Sequence, residues 1–206
     1  MTVEFVPIGV VHSGLCTPGA PPIQSRFSRC KGTVEVFPEY AAGLKNLEGF
    51  SHLILICHFN RSKKQALSEK PLMQMTLSPI GYVRSPYKVP KDAPRQGRLS
   101  DTVSEIVIDE KYLPGLRDLA EKKHVIVLSW FDRADRSTLV ATPPGSPVDH
   151  GVFATRSPSR PNPIGICVVD LIKLEGAVLT VRGLDSLDGT PVLDLKPYSP
   201  GIDCVR

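Results

Sequence analysis

The sequence has no long apolar stretch. Its longest uninterrupted run, LILIC at 53–57, is far shorter than the roughly 20 residues that a membrane-spanning helix requires. The first residues, MTVEFVPIG, contain no basic region followed by an apolar segment of the kind that directs secretion. We therefore expect a soluble, cytoplasmic protein with no membrane partner.

The sequence contains few cysteines, and their spacing matches no metal-binding motif. The five cysteines lie at 16, 30, 57, 167 and 204, with no Cys-x-x-Cys pair and no neighbouring pair of histidines. Such spacing does not favour a zinc site, so we predict reduced thiols and no metal. The sequence also contains neither Gly-x-Gly-x-x-Gly nor a Walker loop, and a doubly wound nucleotide fold is not indicated.

The chain is only mildly basic. Its net charge of +4 and isoelectric point near 8.8 fall short of the dense basic stripe that marks many nucleic-acid-binding proteins. This charge is compatible with an RNA partner without indicating one.

The first two thirds of the sequence contain an internal repeat. A shift of 72 residues places PIGVVHSG at 7–14 on PIGYVRSP at 79–86, and the correspondence continues without a gap to Arg61 and Arg133. Roughly a third of the aligned residues are identical, which is several times the level expected by chance. Residues 151–206 have no earlier counterpart. The sequence therefore predicts two copies of an N-terminal unit and a single C-terminal segment.

Many short β-rich segments separated by glycine and proline predict a mainly β barrel or sandwich. The 20 prolines argue against a helical bundle. The predicted strands cover 4–11, 33–37, 52–59, 78–84, 104–109, 124–131, 151–155, 166–174, 178–183 and 191–195. Two short helices are predicted at equivalent places in the repeat, over 39–47 and 111–121.

The segment 151–165, GVFATRSPSRPNPIG, is the strongest candidate for a binding loop. Pro161 and Pro163 each fix φ at about −65° and favour extended geometry for the residue before them. Asn162 and the guanidinium groups of Arg156 and Arg160 are thus expected on a stiff loop, where less entropy is lost on binding an anion or a base edge. A surface turn with solvated arginines is the alternative.

This loop, together with LDSLDGTPVLDLKPY at 184–198, resembles the TsaA/TrmO-like family of S-adenosylmethionine-dependent tRNA methyltransferases. The resemblance covers 77–206 as a complete domain and extends again over 5–64, so we place a partial repeat at 1–70 and a complete domain at 77–206. It implies a β-barrel with short helices, with an additional partial barrel from the first copy. It also implies S-adenosylmethionine as cofactor, a homodimer, and methylation of N6 of threonylcarbamoyladenosine beside the anticodon of tRNA.

The resemblance also assigns site residues. The family's Pro-Arg-Gln contact stands as Pro94, Arg95 and Gln96, whereas the first copy has Pro22, Ile23 and Gln24. Its polar pair after the central strand falls on Asp132 and Arg133, and on Asn60 and Arg61 in the first copy, where the family usually has histidine first. Its remaining cofactor contacts correspond to Arg156, Leu184, Asp185 and Asp188.

Methyl transfer from a sulfonium requires alignment of the reacting atoms and exclusion of water, and needs no covalent residue. We expect the catalytic residues to be Arg156, Arg160, Asn162 and Asp185. The arginines would clamp a carboxylate or phosphate, and Asp185 or Asp188 would bind an amino group or ribose hydroxyls, or accept a proton. For Asp188, the turn formed by Asp188-Gly189 is an equally good interpretation.

The sequence leaves two alternatives to tRNA methylation. The first is a methyltransferase with a small-molecule or other acceptor, which the mild basicity favours. The second is a protein that binds S-adenosylmethionine without catalysing a reaction. The assembly also has two possibilities, a homodimer or a monomer in which the first copy supplies the partner's surface.

Overall fold

A computed structural model describes residues 2–13, 32–56 and 75–204, and all structural statements concern these ranges. Twelve β-strands are formed there. Their bounds are β1 Val3–Phe5, β2 Gly9–Ser13, β3 Gly32–Val36, β4 Met75–Leu77, β5 Gly81–Arg84, β6 Val103–Ile108, β7 His124–Trp130, β8 Val140–Ala141, β9 His150–Gly151, β10 Ile164–Glu175, β11 Val178–Arg182 and β12 Pro191–Pro197.

Six strands of the second copy and the C-terminal segment close into a barrel in the order β10-β11-β6-β5-β12-β7. Every neighbouring pair is antiparallel. Closure removes the unpaired strand edges that an open sheet would present. The predicted mainly β barrel with short helices is confirmed.

The barrel is filled by alternate side chains of its strands. On β6, Ser104, Ile106 and Ile108 are buried while Val103 is exposed, because successive side chains of a strand point to opposite faces. The core consists mainly of branched aliphatic residues, namely Val83, Ile106, Ile108, Leu116, Leu119, Val125, Val127, Val169, Leu179, Val181, Leu184 and Val192.

The helices are short 3-10 segments that recur at the repeat interval. Pro38–Leu44 and Leu47–Gly49 in the first copy correspond to Glu110–Leu116 and Leu119–Glu121 in the second. Asn46 and Asp118 interrupt each pair with left-handed φ angles of 65° and 64°. Each predicted single helix is thus two shorter ones, since a left-handed residue breaks the helical hydrogen-bond pattern.

Four further helical turns were not predicted. Three are 3-10 segments, at Pro90–Asp92, Gly97–Leu99 and Val152–Ala154. The fourth, Pro200–Asp203, is the α-helix α1. The predicted strand over 151–155 is therefore wrong beyond Gly151, where β9 ends and the chain turns into the 3-10 segment.

The first copy forms two small sheets. β2 pairs with β3, as β5 pairs with β6 in the second copy, and β1 pairs with β4. Of the expected additional partial barrel, the described residues include these two strand pairs.

The predicted strand over 52–59 is not formed in its described part. Residues 52–56 lie outside any strand, and 57–59 lie outside the described residues. The corresponding strand in the second copy, β7, is held between β10 and β12. Both of those partners belong to the segment that is not repeated, so residues 52–56 lack the strands that order β7. The side chains of residues 53–56 are accordingly 53–61% exposed.

Candidate functional site

Three long loops meet at one end of the barrel. They join β5 to β6 (85–102), β7 to β10 (131–163) and β11 to β12 (183–190). The strand register brings their ends together, because Arg84 lies opposite Glu105, Trp130 opposite Ile164, and Arg182 opposite Val103. Every site residue predicted in the complete domain lies in one of these loops. The barrel therefore gathers positions that are up to 94 residues apart in the sequence (94 to 188).

Asp185 links two of the loops. Its Oδ2 accepts a hydrogen bond of 3.0 Å from the backbone N–H of Gly97, which directly follows Pro94-Arg95-Gln96. Burial raises the pKa of Asp185, while the Gly97 N–H and the charge of Arg156 act in the opposite direction. A partly buried carboxylate with few partners is suited to bind a cationic or hydroxyl group of a ligand.

Arg156 is exposed, and its side chain makes no hydrogen bond or ion pair with another described residue. It nevertheless lies near enough to Asp185 and Cys167 to influence both electrostatically. Its five N–H donors are thus available beside a partly buried carboxylate. This combination of opposite charges can hold a ligand that carries both an anionic and a cationic group.

Arg160 is turned into its own loop. Its Nε donates to the Ser157 carbonyl at 2.8 Å, and its Nη2 donates to the carbonyls of Val152 and Thr155 at 2.8 and 2.7 Å. Burial, and then the charge of Arg156, lower the pKa of Arg160. The sequence predicted two equivalent arginines, but Arg160 stabilises the loop from which Arg156 projects.

Asn162 is also engaged within the protein. Its Nδ2 donates to the carbonyl of Val6 at 2.6 Å, and its Oδ1 accepts from the Val6 N–H at 3.0 Å. The amide therefore pairs with a strand-like segment of the first copy. Its predicted catalytic role is untested, and the contact that the structure provides is a positional one.

Asp188 forms part of a tight turn. Its carboxylate accepts from the Ser85 N–H at 2.9 Å and pairs with Lys88 Nζ at 2.8 Å, while Gly189 has a φ of +79°. Lys88 is the main cause of the lowered pKa of Asp188. Arg133 donates from Nη2 to the Asp188 carbonyl at 3.0 Å. The geometry matches the turn interpretation, and Arg133 adds a second link between loops.

The other predicted cofactor contacts differ in accessibility. Arg95, Gln96 and Asp132 are exposed, and Arg95 donates to the Pro144 carbonyl at 3.1 Å. Pro94 is half-buried. Leu184 is 1% exposed and packs in the barrel core, so in this structure it is not accessible to a ligand.

Gly97 and Cys167 belong to the site but were not predicted from the sequence. A Cβ on Gly97 would overlap the Gly183 carbonyl oxygen, so glycine allows the two loops to meet. The thiol of Cys167 donates to the same carbonyl at 3.1 Å, and burial raises the pKa of Cys167 to about 12. The position of Gly97 directly after Pro94-Arg95-Gln96 was the available signal.

The described residues also form an open groove of about 570 Å³. Of the predicted residues, it contains Asp188 alone, whose partners Ser85 and Lys88 also line it together with Arg84 and Glu105. Neither Arg156 nor Asp185 lines this groove.

Within the described ranges the chain forms neither a cluster of metal-ligating side chains nor a helix that could span a membrane. No group of three or more His, Cys, Asp or Glu side chains there is placed to hold a metal ion. In the same part of the chain, no helix is long and apolar enough to cross a membrane.

Comparisons with known proteins agree on the relationship. The model of the tRNA-methyltransferase O N-terminal domain matches residues 10–80 and 82–204. An S-adenosyl-L-methionine-binding protein of Archaeoglobus fulgidus is 57% identical over 132 residues, which cover 64% of this chain and 95% of that protein.

Relatives from Pseudomonas aeruginosa are longer. A putative S-adenosylmethionine-dependent methyltransferase, RcsF, is 39% identical over 143 residues, covering 65% of this chain and 58% of that protein. The crystal structure of TrmO from P. aeruginosa has a TM-score of 0.56 and 39% identity, covering 66% of this chain and 60% of that one. The chain thus spans about three fifths of these relatives. Because the family model matches both copies and the barrel, this chain belongs to the tRNA-methyltransferase O N-terminal domain family.

Proposed function

We propose that this protein is an S-adenosylmethionine-dependent methyltransferase. The observation that supports this most directly is the available guanidinium of Arg156 beside the partly buried carboxylate of Asp185. The amino acid end of the cofactor carries one carboxylate and one ammonium group, so this donor set fits it. When bound, the cofactor would supply an activated methyl group on a sulfonium sulfur.

In this proposal Arg156 binds the cofactor's carboxylate and Asp185 accepts hydrogen bonds from its amino group or ribose hydroxyls. Arg95, Gln96 and Asp132 are exposed at the same end of the barrel and complete the binding surface. Leu184 packs in the barrel core directly before Asp185. Arg133 and Asp188 fix the loop positions. Arg160 and Asn162 hold the loop 151–165, which we call the arginine loop.

We propose the N6 nitrogen of threonylcarbamoyladenosine, next to the anticodon of tRNA, as the methyl acceptor. In this reaction the nitrogen lone pair forms a bond to the methyl carbon, the carbon–sulfur bond breaks, and the nitrogen releases its proton to water. Alignment by the loops is the main contribution of the protein. The family description supports a tRNA acceptor, and the net charge of +4 is compatible with one.

The alternative is cofactor binding without tRNA methylation, or methylation of another acceptor. The relative from Archaeoglobus fulgidus, which matches over nearly its whole length, is described as a binding protein. The two proposals share the cofactor site. They differ in whether the methyl group is transferred and in which molecule accepts it.

The test has two stages. Isothermal titration calorimetry with S-adenosylmethionine should show one site per chain. The first copy has Ile23 where the second copy has Arg95, and it has no counterpart of the arginine loop. Two equivalent sites, or no binding at millimolar cofactor, would contradict the proposal. Nucleoside mass spectrometry of tRNA incubated with protein and cofactor should then show a gain of one methyl group on threonylcarbamoyladenosine. Binding without this gain would favour the alternative.

For the assembly, we retain the division into 1–70 and 77–206 and the homodimer as proposals. The alternative is a monomer in which the first copy, which contacts the arginine loop, supplies the surface that a second subunit would offer. Light scattering of the full chain distinguishes a mass near 22.5 kDa from twice that value.

A further inference from the structure

The first copy holds both ends of the arginine loop. At the end of the loop, the Val6 backbone forms two hydrogen bonds with the Asn162 side chain, at 3.0 and 2.6 Å. At its start, the Gly151 N–H donates to the Lys45 carbonyl at 2.9 Å. Asn46 adds a hydrogen bond from Nδ2 to the Asp149 carbonyl at 3.1 Å. Arg156 therefore lies on a segment that is fixed on either side by residues distant in sequence.

The contact at the start of the loop is closely packed. Gly43 is buried, and a Cβ at this position would lie 2.5 Å from the Phe153 ring. Its counterpart in the repeat, Gly115, occupies the same place in an equivalent 3-10 segment. A Cβ there would meet no described atom within 4 Å. The two glycines thus share sequence context and local structure, and differ in whether the arginine loop packs against them.

From these contacts we infer that Val6 and residues 43–46 of the first copy are a positioning element that fixes Arg156 in the cofactor site. The inference rests on the proposed function for its binding readout. Arg160 orders the interior of the loop through three carbonyls, but those bonds do not attach the loop to the rest of the molecule. The pairing of β8 with β9 and the hydrogen bond from Arg136 Nε to the Pro161 carbonyl also hold the loop. The first copy adds an attachment at each end, which explains how an incomplete repeat contributes to a site lying in the complete domain.

The test compares Gly43→Val with Gly115→Val. Both changes add the same side chain in the same kind of helix, so their effects on local propensity are matched. A milder pair is Asn46→Gly and Asp118→Gly, because both residues are left-handed and glycine adopts this conformation without strain. For each variant we would measure the affinity for S-adenosylmethionine by calorimetry, the rate of tryptic cleavage after Arg156, and the melting temperature.

Gly43→Val and Asn46→Gly should each accelerate cleavage after Arg156 and weaken cofactor binding about tenfold, the loss expected when one charge-assisted hydrogen bond is displaced. Gly115→Val and Asp118→Gly should leave binding and cleavage after Arg156 unchanged. Equal effects within each pair, or unchanged cleavage and binding in the first-copy variants, would overturn the inference. If the unmodified protein does not bind the cofactor, the proposed function fails, and the cleavage rates still decide the positioning role.

Discussion

Asp185 and Gly97 join the two loops that flank the site through a single hydrogen bond of 3.0 Å from backbone N–H to carboxylate. The bond requires the loops to approach so closely that only glycine fits at position 97. The residue proposed to bind the cofactor thus also determines how the two loops meet.

Cofactor binding should depend on the ionisation of Asp185. Because burial raises its pKa above the ordinary 3.8, the carboxylate becomes protonated at a higher pH than an exposed aspartate would. We expect affinity for S-adenosylmethionine to fall as the pH decreases through this raised pKa, and to be fully present above it. Calorimetry across a pH series should show this dependence, and Asp185→Asn should remove it together with most of the affinity.

The same ionisation should have the opposite effect on folding. A raised pKa means that the folded protein binds the proton more tightly than the unfolded chain does. The Asp185 contribution to stability is therefore greatest below the unfolded pKa and decreases as the pH rises through the folded pKa. The free energy of unfolding of the Asp185→Asn variant, measured across the same pH series, should lack this pH-dependent contribution.

The binding prediction for Asp185 has a contrary outcome. If cofactor affinity were independent of pH while turnover depended on it, Asp185 would be a proton acceptor and not a cofactor ligand.

Arg156→Lys should weaken cofactor binding without affecting folding. Lysine keeps the charge but cannot reproduce the planar fork of donors. We expect a loss of about tenfold, consistent with one charge-assisted hydrogen bond, and an unchanged melting temperature because Arg156 has no partner among the described residues. Arg117→Lys is the matched control, since Arg117 is exposed in the loop at the opposite barrel end. Wild-type affinity in Arg156→Lys would exclude it as the ligand clamp.

Arg160→Met should affect stability first. The change removes three hydrogen bonds to carbonyls, and we expect the free energy of unfolding to fall by at least about 1.5–3 kcal/mol, the range for a single hydrogen bond to a charged group. Urea denaturation would measure this loss. A variant with unchanged stability but abolished binding would show that Arg160 contacts the ligand, as the sequence suggested.

Cys167 should be chemically inert in the folded protein. Its pKa of about 12 keeps the thiol protonated at pH 8, and the thiolate is the reactive form. Iodoacetamide should therefore modify the exposed Cys204 and leave Cys167 unmodified until denaturant is added, as peptide mass spectrometry can show. Rapid labelling of native Cys167 would contradict the described burial.

The alternation of short apolar segments and turns was sufficient to predict a mainly β barrel or sandwich, since strand periodicity is a local property, and the family resemblance favoured the barrel. The 72-residue correspondence located the helical segments of both copies, although the left-handed conformations of Asn46 and Asp118 were not apparent from residue type. The strand predicted at 52–59 illustrates the limit. Residues 52–56 have the composition of β7 but lack the two neighbouring strands that β7 uses.

The sequence by itself determined which loops carry the candidate chemistry, because Arg156, Asp185 and Pro94-Arg95-Gln96 are recognisable from their motifs. It did not distinguish Arg156 from Arg160, since both precede the same proline-rich turn and carry the same charge. Tertiary structure decided that difference by burying one guanidinium against three carbonyls and leaving the other exposed near Asp185. It alone also decided that Asn162 meets Val6, because hydrogen bonds between residues so distant in the chain depend on how the whole molecule packs.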